Sequence, residues 1–464
     1  MNYDKIRKVY LVGICGTAMA SLAGLLKERG LDVCGSDANV YPPMSIQLRE
    51  LGIHVYNGYE ADNLRRAKPD LVIPGNAVPR GNPEVEALLN LRLPYVSMAE
   101  AVREFFLREK HPIVIAGTHG KTTTSSLAAW LLQSAELQPS FLIGGIPLNF
   151  GKSFQWERGG KYFVIEGDEY DTGFMDRRPK FVQYLPEIVI LNLVEYDHAD
   201  IYPDFASVEN AFWQLVKVVP ANGQIIVNRD SDAAYRLATR GYSKVLTFGF
   251  HPDSMFRISR EQWAGGIASF QLNGNSYSIH VYGRHNLANA AATVILGEQL
   301  GLNTDQIRMA LGTFTGVKRR MELRGETNGI AVFDDFAHHP TAISATLEGA
   351  RLAFPEARIW AIFEPRSWSS RRNIFQDEFA RAFRHADLAV IAGIYEPEKL
   401  SPEVRLDPEK LVAEMNRNGT KSYYISENQE IVEFVAKNAK MNDRLIVMSN
   451  GSFDGIHDRI LERL

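Results

Sequence analysis

Little in this chain of 464 residues points to the outside of the cell or to a membrane. It contains only two cysteines, Cys15 and Cys34, which are too few for a disulfide framework and match no common metal-ligand spacing. We interpret them as thiols of a protein in a reducing compartment. No run of about 18 apolar residues could span a bilayer, and the N-terminus leads into a strand without a cleavable signal. These absences predict a cytoplasmic protein.

The chain also lacks a strong excess of charge of either sign, since its formal net charge is −4. A broad surface for nucleic acid or for anionic lipid would require a positive excess. We therefore expect small-molecule partners, no nucleic acid and no membrane insertion. A local basic cleft for phosphates is compatible with this average, and the sequence carries no signal for an oligomeric state.

Strand, glycine-rich turn and helix alternate along the chain, which is typical of α/β architecture with parallel sheets. At about 150 residues per domain, the length suggests three domains. We place them at residues 1–107, 108–322 and 323–464, with a helix over residues 99–107 closing the first. Between residues 245 and 282, alternating apolar and polar residues predict antiparallel strands at the edge of the central domain.

The strongest motif follows an apolar strand and opens a helix. It consists of Gly117, Thr118, His119, Gly120, Lys121, Thr122 and Thr123. A glycine loop at such a junction directs backbone N–H groups and a helix N-terminus at a phosphate. Lys121 would neutralise the β- and γ-phosphates, and the Thr122 hydroxyl would bind Mg²⁺. The motif predicts a nucleoside triphosphate site, in a loop shorter than the common phosphate loop.

Two acidic motifs follow later strands of the same predicted domain. The first is Glu166-Gly167-Asp168-Glu169-Tyr170-Asp171, and the second is Glu195-Tyr196-Asp197-His198-Ala199-Asp200. Crowded carboxylates are unfavourable without a cation, and open α/β sheets bind ligands at the carboxyl ends of their strands. His198 beside acids suits a second metal position. The two motifs therefore predict divalent cations near the phosphates.

The first predicted domain carries a weaker phosphate motif, the turn Gly13-Ile14-Cys15-Gly16-Thr17-Ala18. The helix N-terminus that follows such a turn favours a pyrophosphate. Asp37 lies about twenty residues further on and fits a ribose or a base contact. The candidate residues of this domain are Gly13, Cys15, Gly16, Thr17, Ser36, Asp37 and Asn76.

In their order and spacing, these motifs resemble the Mur ligase family. Three later segments add to the resemblance: residues 283–290 (GRHNLANA), residues 319–322 (RRME) and residues 334–340 (DDFAHHP). The resemblance covers nearly the whole chain. It implies a Rossmann-like first domain that binds a UDP-sugar and a central ATP-binding domain of the P-loop type. It further implies a Rossmann-like third domain that binds the amine substrate and closes on ATP.

The resemblance implies an ATP- and Mg²⁺-dependent ligase that forms an amide bond on a UDP-linked sugar. In this family the substrate carboxylate attacks the γ-phosphate to give an acyl phosphate, and an amine then displaces the phosphate. Phosphoryl transfer needs alignment and charge neutralisation more than a covalent protein group, which agrees with the residues present.

Several roles follow from the resemblance alone. The implied catalytic residues are Lys121, Glu166, His198 and Arg320, and the implied metal ligands are Thr122, Glu166 and His198, with Asp168, Glu169 and Asp197 as second choices. Besides the glycine loop, the implied nucleotide contacts are His285, Asn286, Asn289, Arg320 and Asp335. The candidate peptide-binding residues are Arg366, Arg371, Arg372, Ser449 and Asn450. Residues 211–214 contain no lysine, so we expect no carbamylated lysine there.

The resemblance leaves alternatives for the amine substrate. Residues 36–44, 169–186, 363–367 and 448–457 favour the tripeptide L-alanyl-γ-D-glutamyl-meso-diaminopimelate, joined to UDP-N-acetylmuramate in murein recycling. L-Alanine alone is the alternative amine. A UDP-sugar-binding regulator without turnover is a third hypothesis, which the full set of catalytic residues disfavours. A folate polyglutamate ligase is a fourth, and the UDP-type first domain speaks against it.

Overall fold

A computed structural model describes residues 1–40, 44–199 and 201–464. The described chain divides into two compact units. The first comprises Met1–Val194, Ala206–Arg257 and Ala292–Ala310, and the second comprises Glu195–Phe205, Ile258–Ala291 and Leu311–Leu464. Parallel sheets flanked by helices dominate both units, as the sequence predicts. Over the described ranges, no helix combines the length and the apolar character needed to cross a membrane.

The first unit begins with a parallel sheet. Its strands are β1 (Lys8–Val12), β2 (Asp32–Asp37), β3 (His54–Asn57) and β4 (Leu71–Pro74), in the order β3–β2–β1–β4. Its helices are α1 (Thr17–Glu28), α2 (Met44–Glu50), α3 (Ala61–Ala67), α4 (Pro83–Asn90) and α5 (Met98–Val102). The helix predicted over residues 99–107 is regular only in α5, because Arg103–Leu107 continues it as a π-helical turn.

A larger sheet follows in the same unit. Its strands are β5 (His111–Ala116), β6 (Ser140–Leu142), β7 (Phe154–Gln155), β8 (Tyr162–Glu166), β11 (Ile188–Leu191), β12 (Gln224–Asn228), β13 (Lys244–Gly249) and β14 (Phe256–Arg257), while β9 (Asp171–Gly173) and β10 (Asp176–Pro179) form a separate hairpin. The helices of this part of the chain are α6 (Lys121–Ser134), α7 (Phe205–Val218) and α8 (Asp232–Ala238).

Strand β5 lies between β8 and β11, parallel to both. The carboxyl ends of neighbouring parallel strands meet at one edge of a sheet, where open α/β sheets bind their ligands. The glycine loop follows β5 and the first acidic motif follows β8. The topology therefore brings these two motifs side by side.

The prediction of antiparallel strands at the edge of the central sheet is wrong in part. β13 and β14 join that sheet in parallel. The antiparallel strands β15 (Ser259–Ala264), β16 (Ile267–Leu272) and β17 (Asn275–Ile279) form a sheet of their own, grouped with the second unit. Period-two alternation indicates a strand with one buried face, but it does not say which sheet the strand joins. Two helices follow these strands, α9 (Arg284–Gln299) and α10 (Thr304–Gly312).

The second unit contains the last sheet of the chain. Its strands are β18 (Glu322–Thr327), β19 (Ile330–Asp335), β20 (Arg358–Phe363), β21 (Leu388–Ala392), β22 (Lys421–Ile425) and β23 (Asp443–Met448), in the order β18–β19–β23–β20–β21–β22. Its helices are α11 (Pro340–Ala353), α12 (Gln376–Ala382), α13 (Pro408–Arg417), α14 (Asn428–Asn438) and α15 (Ile456–Arg463).

Both faces of this last sheet are buried. Ile359, Ala361 and Phe363 of β20 point into one core cluster, and the alternate residues Trp360 and Ile362 point into another. A parallel strand covered on both faces is expected to be continuously apolar, and residues 359–363 of β20 are all apolar.

Candidate active site

The glycine loop after β5 depends on two residues with positive φ. Gly117 has φ 130°, and a Cβ there would lie 2.9 Å from the carbonyl oxygen of Leu193. The next residue, Thr118, donates its N–H to that oxygen at 2.7 Å. His119 forms an isolated antiparallel β-bridge with Leu193. Gly120, with φ 81°, is the N-cap of α6. Only glycine adopts these conformations without strain, so the sequence fixes the loop locally.

Lys121 is held at this loop by opposite charge. Its Nζ donates to Glu169 Oε2 at 2.8 Å and to the Gly117 carbonyl oxygen at 2.7 Å. Burial opposes its charged form, but Glu169, Asp168 and Glu166 outweigh burial and raise the pKa of Lys121. The ammonium is therefore charged and preorganised at the position where the motif predicts phosphates.

Glu166 and Thr122 come together as predicted for metal ligands. The Thr122 hydroxyl donates to Glu166 Oε1 at 3.0 Å, and the Gly144 N–H donates to Oε2 at 2.8 Å. A Cβ at Gly144 would lie 3.1 Å from the carboxylate, so the glycine gives Glu166 its space. Thr123, one position further into α6, is 8% exposed. A hydroxyl and a carboxylate oxygen are ligands that suit Mg²⁺.

A second lysine, missed in the sequence, neutralises the same acidic motif. Lys180 is 5% exposed, and its Nζ donates to Asp168 Oδ2 at 2.7 Å. Burial raises the pKa of Asp168, but Lys180 outweighs this effect and holds that pKa below its usual value. The available signal was that Lys180 directly precedes the mostly apolar residues 181–186, since a buried lysine requires a partner.

Hydrogen bonds join the turn after β1 to the last residues of β2. Gly13, with φ 80°, donates its N–H to the Ser36 carbonyl oxygen at 2.8 Å. Cys15 donates its N–H to Asp37 Oδ2 at 2.9 Å. Gly16 is the N-cap of α1, which begins at Thr17. The predicted residues of this turn therefore lie together, with a carboxylate among them.

The buried carboxylate of Glu84 accepts a hydrogen bond from Ser36, one of the predicted UDP-sugar residues. Glu84 is fully buried and accepts hydrogen bonds from Ser36 Oγ at 2.5 Å, Tyr10 Oη at 3.0 Å and Asn63 Nδ2 at 2.8 Å. A buried carboxylate without a cation needs several such donors. This role was missed in the sequence, because Glu84 lies in the first turn of α4 and resembles an ordinary helix-start acid.

Asn76, the remaining UDP-sugar candidate, follows β4 and is half-buried. A Cβ at Gly173, in the β9–β10 hairpin, would lie 3.8 Å from the Asn76 Cα. The neighbouring Phe174 ring stacks on Tyr95 with centroids 6.4 Å apart. The hairpin that follows the acidic motif therefore reaches the edge of the first sheet.

Asp335, in the second unit, accepts hydrogen bonds from the backbone, including one from the RRME turn at residues 319–322. Its carboxylate accepts the N–H groups of Met321 and Ala337, each at 2.8 Å, and the Thr346 hydroxyl at 3.3 Å. Burial raises the pKa of Asp335 against the opposing effect of Arg320. Its carboxylate therefore holds the RRME turn at the end of β19.

Arg320 and its neighbour Arg319 flank one aromatic ring. Their guanidinium carbons lie 5.2 Å and 5.1 Å from the centroid of Phe336. Arg319 also donates to the Ser449 carbonyl oxygen at 2.5 Å and the Gly451 carbonyl oxygen at 2.6 Å. The sequence analysis assigned a role to Arg320 alone, whereas Arg319 joins the RRME turn to the loop after β23.

The candidate nucleotide residues of α9 form a local amide chain. Asn289 Nδ2 donates to Asn286 Oδ1 at 2.9 Å, and Asn286 Nδ2 donates to the Tyr282 carbonyl oxygen at 2.8 Å. Beside them, a Cβ at Gly283 would lie 2.7 Å from the His285 ring. His285, Asn286 and Asn289 therefore share the first turns of one helix.

His198 lies in the second acidic motif, whose Asp200 falls outside the described residues. The neighbouring Asp197 is 5% exposed. Burial favours its neutral form, but His198, His338 and His339 outweigh burial and lower the pKa of Asp197. Asp197 therefore stays a carboxylate, surrounded by histidines of two separate motifs.

Two of the peptide candidates meet at the end of β20. The guanidinium of Arg366 stacks on the Tyr395 ring at 3.7 Å, and its Nη1 lies 3.4 Å from Glu364 Oε1. Ser449 donates its hydroxyl to Glu364 Oε2 at 2.5 Å and accepts the Gly451 N–H at 2.9 Å. The arrangement places a cation and a carboxylate side by side.

The other peptide candidates differ from these two. Arg371 is 6% exposed and donates to the Tyr395 and Glu396 carbonyl oxygens, at 3.0 Å and 3.4 Å, so it holds a loop of the backbone. Arg372 lies over the Trp368 ring at 4.6 Å. Asn450 Oδ1 is buried, and no group in the described part of the chain donates a hydrogen bond to it.

The sequence can be compared with known families and proteins at this point. Three family models match in chain order: "Mur ligase family, catalytic domain" at residues 8–110, "Mur ligase middle domain" at 115–297 and "Mur ligase, glutamate ligase domain" at 319–451. The UDP-N-acetylmuramate–L-alanyl-γ-D-glutamyl-meso-2,6-diaminoheptandioate ligase of Escherichia coli K12 is 39% identical over 462 residues, with 98% of each chain covered.

The chain belongs to the Mur ligase family. It is an ATP-dependent ligase that forms an amide bond, and the fold and enzyme class expected from the sequence are confirmed. The crystal structure of a murein peptide ligase from Psychrobacter arcticus is 34% identical, with a TM-score of 0.72 over 98% of both chains. The UDP-N-acetylmuramate–L-alanine ligase of Salinibacter ruber is 35% identical over 84% of this Mur ligase and 81% of its own length.

Proposed function

We propose that this Mur ligase joins L-alanyl-γ-D-glutamyl-meso-diaminopimelate to UDP-N-acetylmuramate, with conversion of ATP to ADP and phosphate. The observation that carries the proposal is the 39% identity, over nearly the whole of both chains, to the Escherichia coli enzyme with that name. The similarity to L-alanine ligases is lower, at 35% identity for that of Salinibacter ruber and 32% for that of Acetivibrio thermocellus. This activity would serve murein recycling in the cytoplasm, a location that stays a prediction from the sequence.

The proposed chemistry has two steps. A carboxylate oxygen of UDP-N-acetylmuramate attacks the γ-phosphorus, the bond from that phosphorus to the β–γ bridging oxygen breaks, and ADP leaves. The amine of the tripeptide then attacks the acyl-phosphate carbonyl, loses a proton, and expels phosphate. We assign Lys121 to the β- and γ-phosphates, where its charge would offset the negative charge of the transition state. The remaining residues of the glycine loop would supply backbone N–H groups.

Mg²⁺ fits the residues of the central sheet. Thr122 and Glu166 place a hydroxyl and a carboxylate 3.0 Å apart beside the lysine, and oxygen atoms are the preferred Mg²⁺ ligands. We propose these two residues and His198 as metal ligands. When bound, Mg²⁺ would neutralise phosphate charge and polarise the γ-phosphorus. Asp168 and Glu169 are already paired with lysines, which supports positioning roles for them.

The first domain, proposed as residues 1–107, would bind the UDP-sugar. The turn after β1 offers the N-terminus of α1, and the proposed contacts are Gly13, Cys15, Gly16, Thr17, Ser36, Asp37 and Asn76. Asp37 is the proposed contact to the ribose or the uracil, because a carboxylate there accepts hydrogen bonds rather than binding phosphate. Glu84 would keep Ser36 in place.

The nucleotide contacts outside the glycine loop remain proposals on the family resemblance. They are His285, Asn286, Asn289, Arg320 and Asp335, in the proposed domains 108–322 and 323–464. Arg320 carries a guanidinium suited to phosphate. Asp335 already accepts three protein hydrogen bonds, so we propose that it acts chiefly by fixing the turn that carries Arg320.

The diaminopimelate end of the peptide carries both an ammonium and a carboxylate. Arg366 and Glu364 present the complementary pair beside each other, with Ser449 fixing Glu364. We propose that Arg366 binds the carboxylate and Glu364 the ammonium. Asn450, with its buried amide oxygen, is a further proposed contact, whereas Arg371 is proposed to hold the Tyr395 loop.

The decisive experiment measures phosphate release with UDP-N-acetylmuramate, ATP and either the tripeptide or L-alanine. We expect kcat/KM for the tripeptide to exceed that for L-alanine by at least about 100-fold, since the charged pair would remain unused by L-alanine. A clear preference for L-alanine would assign the alternative activity. Nucleotide binding without phosphate release in either reaction would support the regulator hypothesis instead.

A further inference from the structure

His198 has a backbone conformation that is uncommon for its residue type. Its φ is 55°, in the left-handed region where a Cβ crowds the neighbouring carbonyl oxygen. Such conformations persist only where the surrounding structure fixes them, and they concentrate at functional sites. The His198 N–H donates to the carboxylate of Asp197, which also accepts a hydrogen bond from Ser369, 172 positions further along the chain.

Asp197 connects His198 to that distant residue. Its Oδ1 accepts the N–H of His198 at 2.7 Å and the hydroxyl of Ser369 at 3.0 Å. Asp197 is 5% exposed and Ser369 is 6% exposed, so water competes little for either hydrogen bond. Hydrogen bonds to an ionised acceptor are stronger than those between neutral groups.

The residue before Asp197 anchors the same segment. Tyr196 packs against the core of the last sheet, with its ring 6.1 Å from that of Phe375. Its hydroxyl donates to the Tyr202 carbonyl oxygen at 3.1 Å, and the Tyr202 N–H donates to the His198 carbonyl oxygen at 3.0 Å. Hydrogen bonds therefore link Tyr196, Tyr202 and His198, and Tyr196 packs within the second unit.

We propose that Ser369 is a positioning residue for His198. Its hydroxyl orients Asp197, Asp197 fixes the left-handed backbone of His198, and the imidazole is thereby aimed for the metal-binding role proposed above, on which this inference rests. Ser369 lies three residues after Arg366, so one loop joins the proposed peptide site to the proposed metal ligand. Removing one hydroxyl should loosen the metal ligand without touching the substrates.

The first test measures hydrogen exchange in the metal-free, full-length protein, on peptides that cover residues 195–205. We expect Ser369→Ala to speed exchange there by about ten-fold, the factor that corresponds to about 1.4 kcal/mol. Ser370→Ala is the matched control, because its hydroxyl bonds to Ser367 within the loop. It should change exchange at 195–205 by less than about two-fold. Thermal melting of each variant checks that it is folded.

Rescue by conservative variants separates positioning from simple packing. Ser369→Thr retains the hydroxyl, and Asp197→Asn retains an oxygen that accepts both hydrogen bonds. At least one of them should keep exchange near the wild-type rate. If both exchange as fast as Ser369→Ala, or if Ser370→Ala has the same effect as Ser369→Ala, the proposal is overturned.

The second test titrates Mg²⁺ against phosphate release. Ser369→Ala should raise the half-saturating Mg²⁺ concentration by about five- to ten-fold, with KM for UDP-N-acetylmuramate unchanged. An unaltered Mg²⁺ requirement would contradict the link to the metal. If the wild-type protein releases no phosphate, the proposed function fails, while the exchange experiment still tests the Ser369–Asp197–His198 chain.

Discussion

The first unit contains two strand–loop–helix turns of equal length that carry side chains of opposite charge. In the turn between β1 and α1, the carboxylate of Asp37 accepts the Cys15 N–H at 2.9 Å. In the turn between β5 and α6, the ammonium of Lys121 lies against the Gly117 carbonyl oxygen at 2.7 Å. Each turn has a glycine at positive φ directly after its strand and a glycine N-cap, but the N-cap of α1 is extended, with φ −63°, and that of α6 is left-handed, with φ 81°. The two turns therefore differ in backbone conformation as well as in side chains.

The ligands proposed for the two turns differ, although both turns lead into the N-terminus of a helix. The backbone of both turns can attract an anion. Lys121 and the nearby Glu166–Thr122 pair equip the second turn for a triphosphate with a cation. In the first turn, Asp37 accepts the Cys15 N–H and contributes a negative charge. This turn therefore suits hydroxyl or base groups of a ligand more than a second full negative charge. The following predictions test this division.

The largest effect is expected for Lys121→Ala. It should lower kcat by at least about 1,000-fold, because it removes the ammonium assigned to the β- and γ-phosphates. Binding of the UDP-sugar, measured by calorimetry, should stay within about two-fold, because that ligand is assigned to the first turn. Lys244→Ala, at an exposed lysine, is the control. Loss of UDP-sugar binding together with turnover would show that the two turns do not act separately.

A smaller loss is expected for Glu166→Gln. The amide keeps the size of the side chain but removes the charge, so kcat should fall by about 100-fold and the Mg²⁺ requirement should rise. Phosphate release across a Mg²⁺ titration measures both quantities. The exposed Glu187→Gln should behave as the wild type. An unchanged Mg²⁺ requirement in Glu166→Gln would remove Glu166 from the proposed metal ligands.

Asp37→Ala should act on the other turn. It deletes the acceptor of the Cys15 N–H and the proposed contact to ribose or uracil, so the Kd for UDP-N-acetylmuramate should rise by about ten-fold. The Kd for ATP should stay unchanged. Asp32→Ala is the matched control, because Asp32 lies on the same strand with a 63% exposed side chain. Weaker ATP binding in Asp37→Ala would break the proposed division.

The thiol in the first turn should differ from an ordinary cysteine in its reactivity. Burial, and then Asp37, raise the pKa of Cys15 to about 11. Because the folded state raises this pKa above the ordinary value of 9.0, the thiol stays protonated until the pH approaches 11. At pH 8 it should therefore contain about 100-fold less thiolate than an ordinary cysteine and react with iodoacetamide correspondingly slowly. Mass spectrometry of the Cys15 peptide measures the rate, and alkylation as fast as that of glutathione would contradict the prediction.

The parts predicted from the sequence are those encoded by neighbouring residues. The glycine loop carries its glycines, lysine and threonines within seven positions, and β8 leads directly into the first acidic motif. The antiparallel strands after residue 258 show the limit, since their alternation was evident but their sheet was not.

The missed residues act through partners that are remote in the sequence. Glu84 meets Ser36 across 48 positions, Arg319 meets Ser449 across 130, and Ser369 meets Asp197 across 172. Nothing in the local composition around these residues distinguishes them from ordinary helix, turn or surface positions. Their roles appear only when the fold brings these distant positions into contact.

The sequence by itself determined the order of the domains, the chemistry of the phosphate loop and the family, because these depend on short segments with fixed backbone requirements. The tertiary structure decided which charges are paired: Lys121 with Glu169, Lys180 with Asp168, and Arg366 with Glu364 beside Tyr395. A side chain's charge is local, but its burial and its partner depend on the whole chain, and these set its energy.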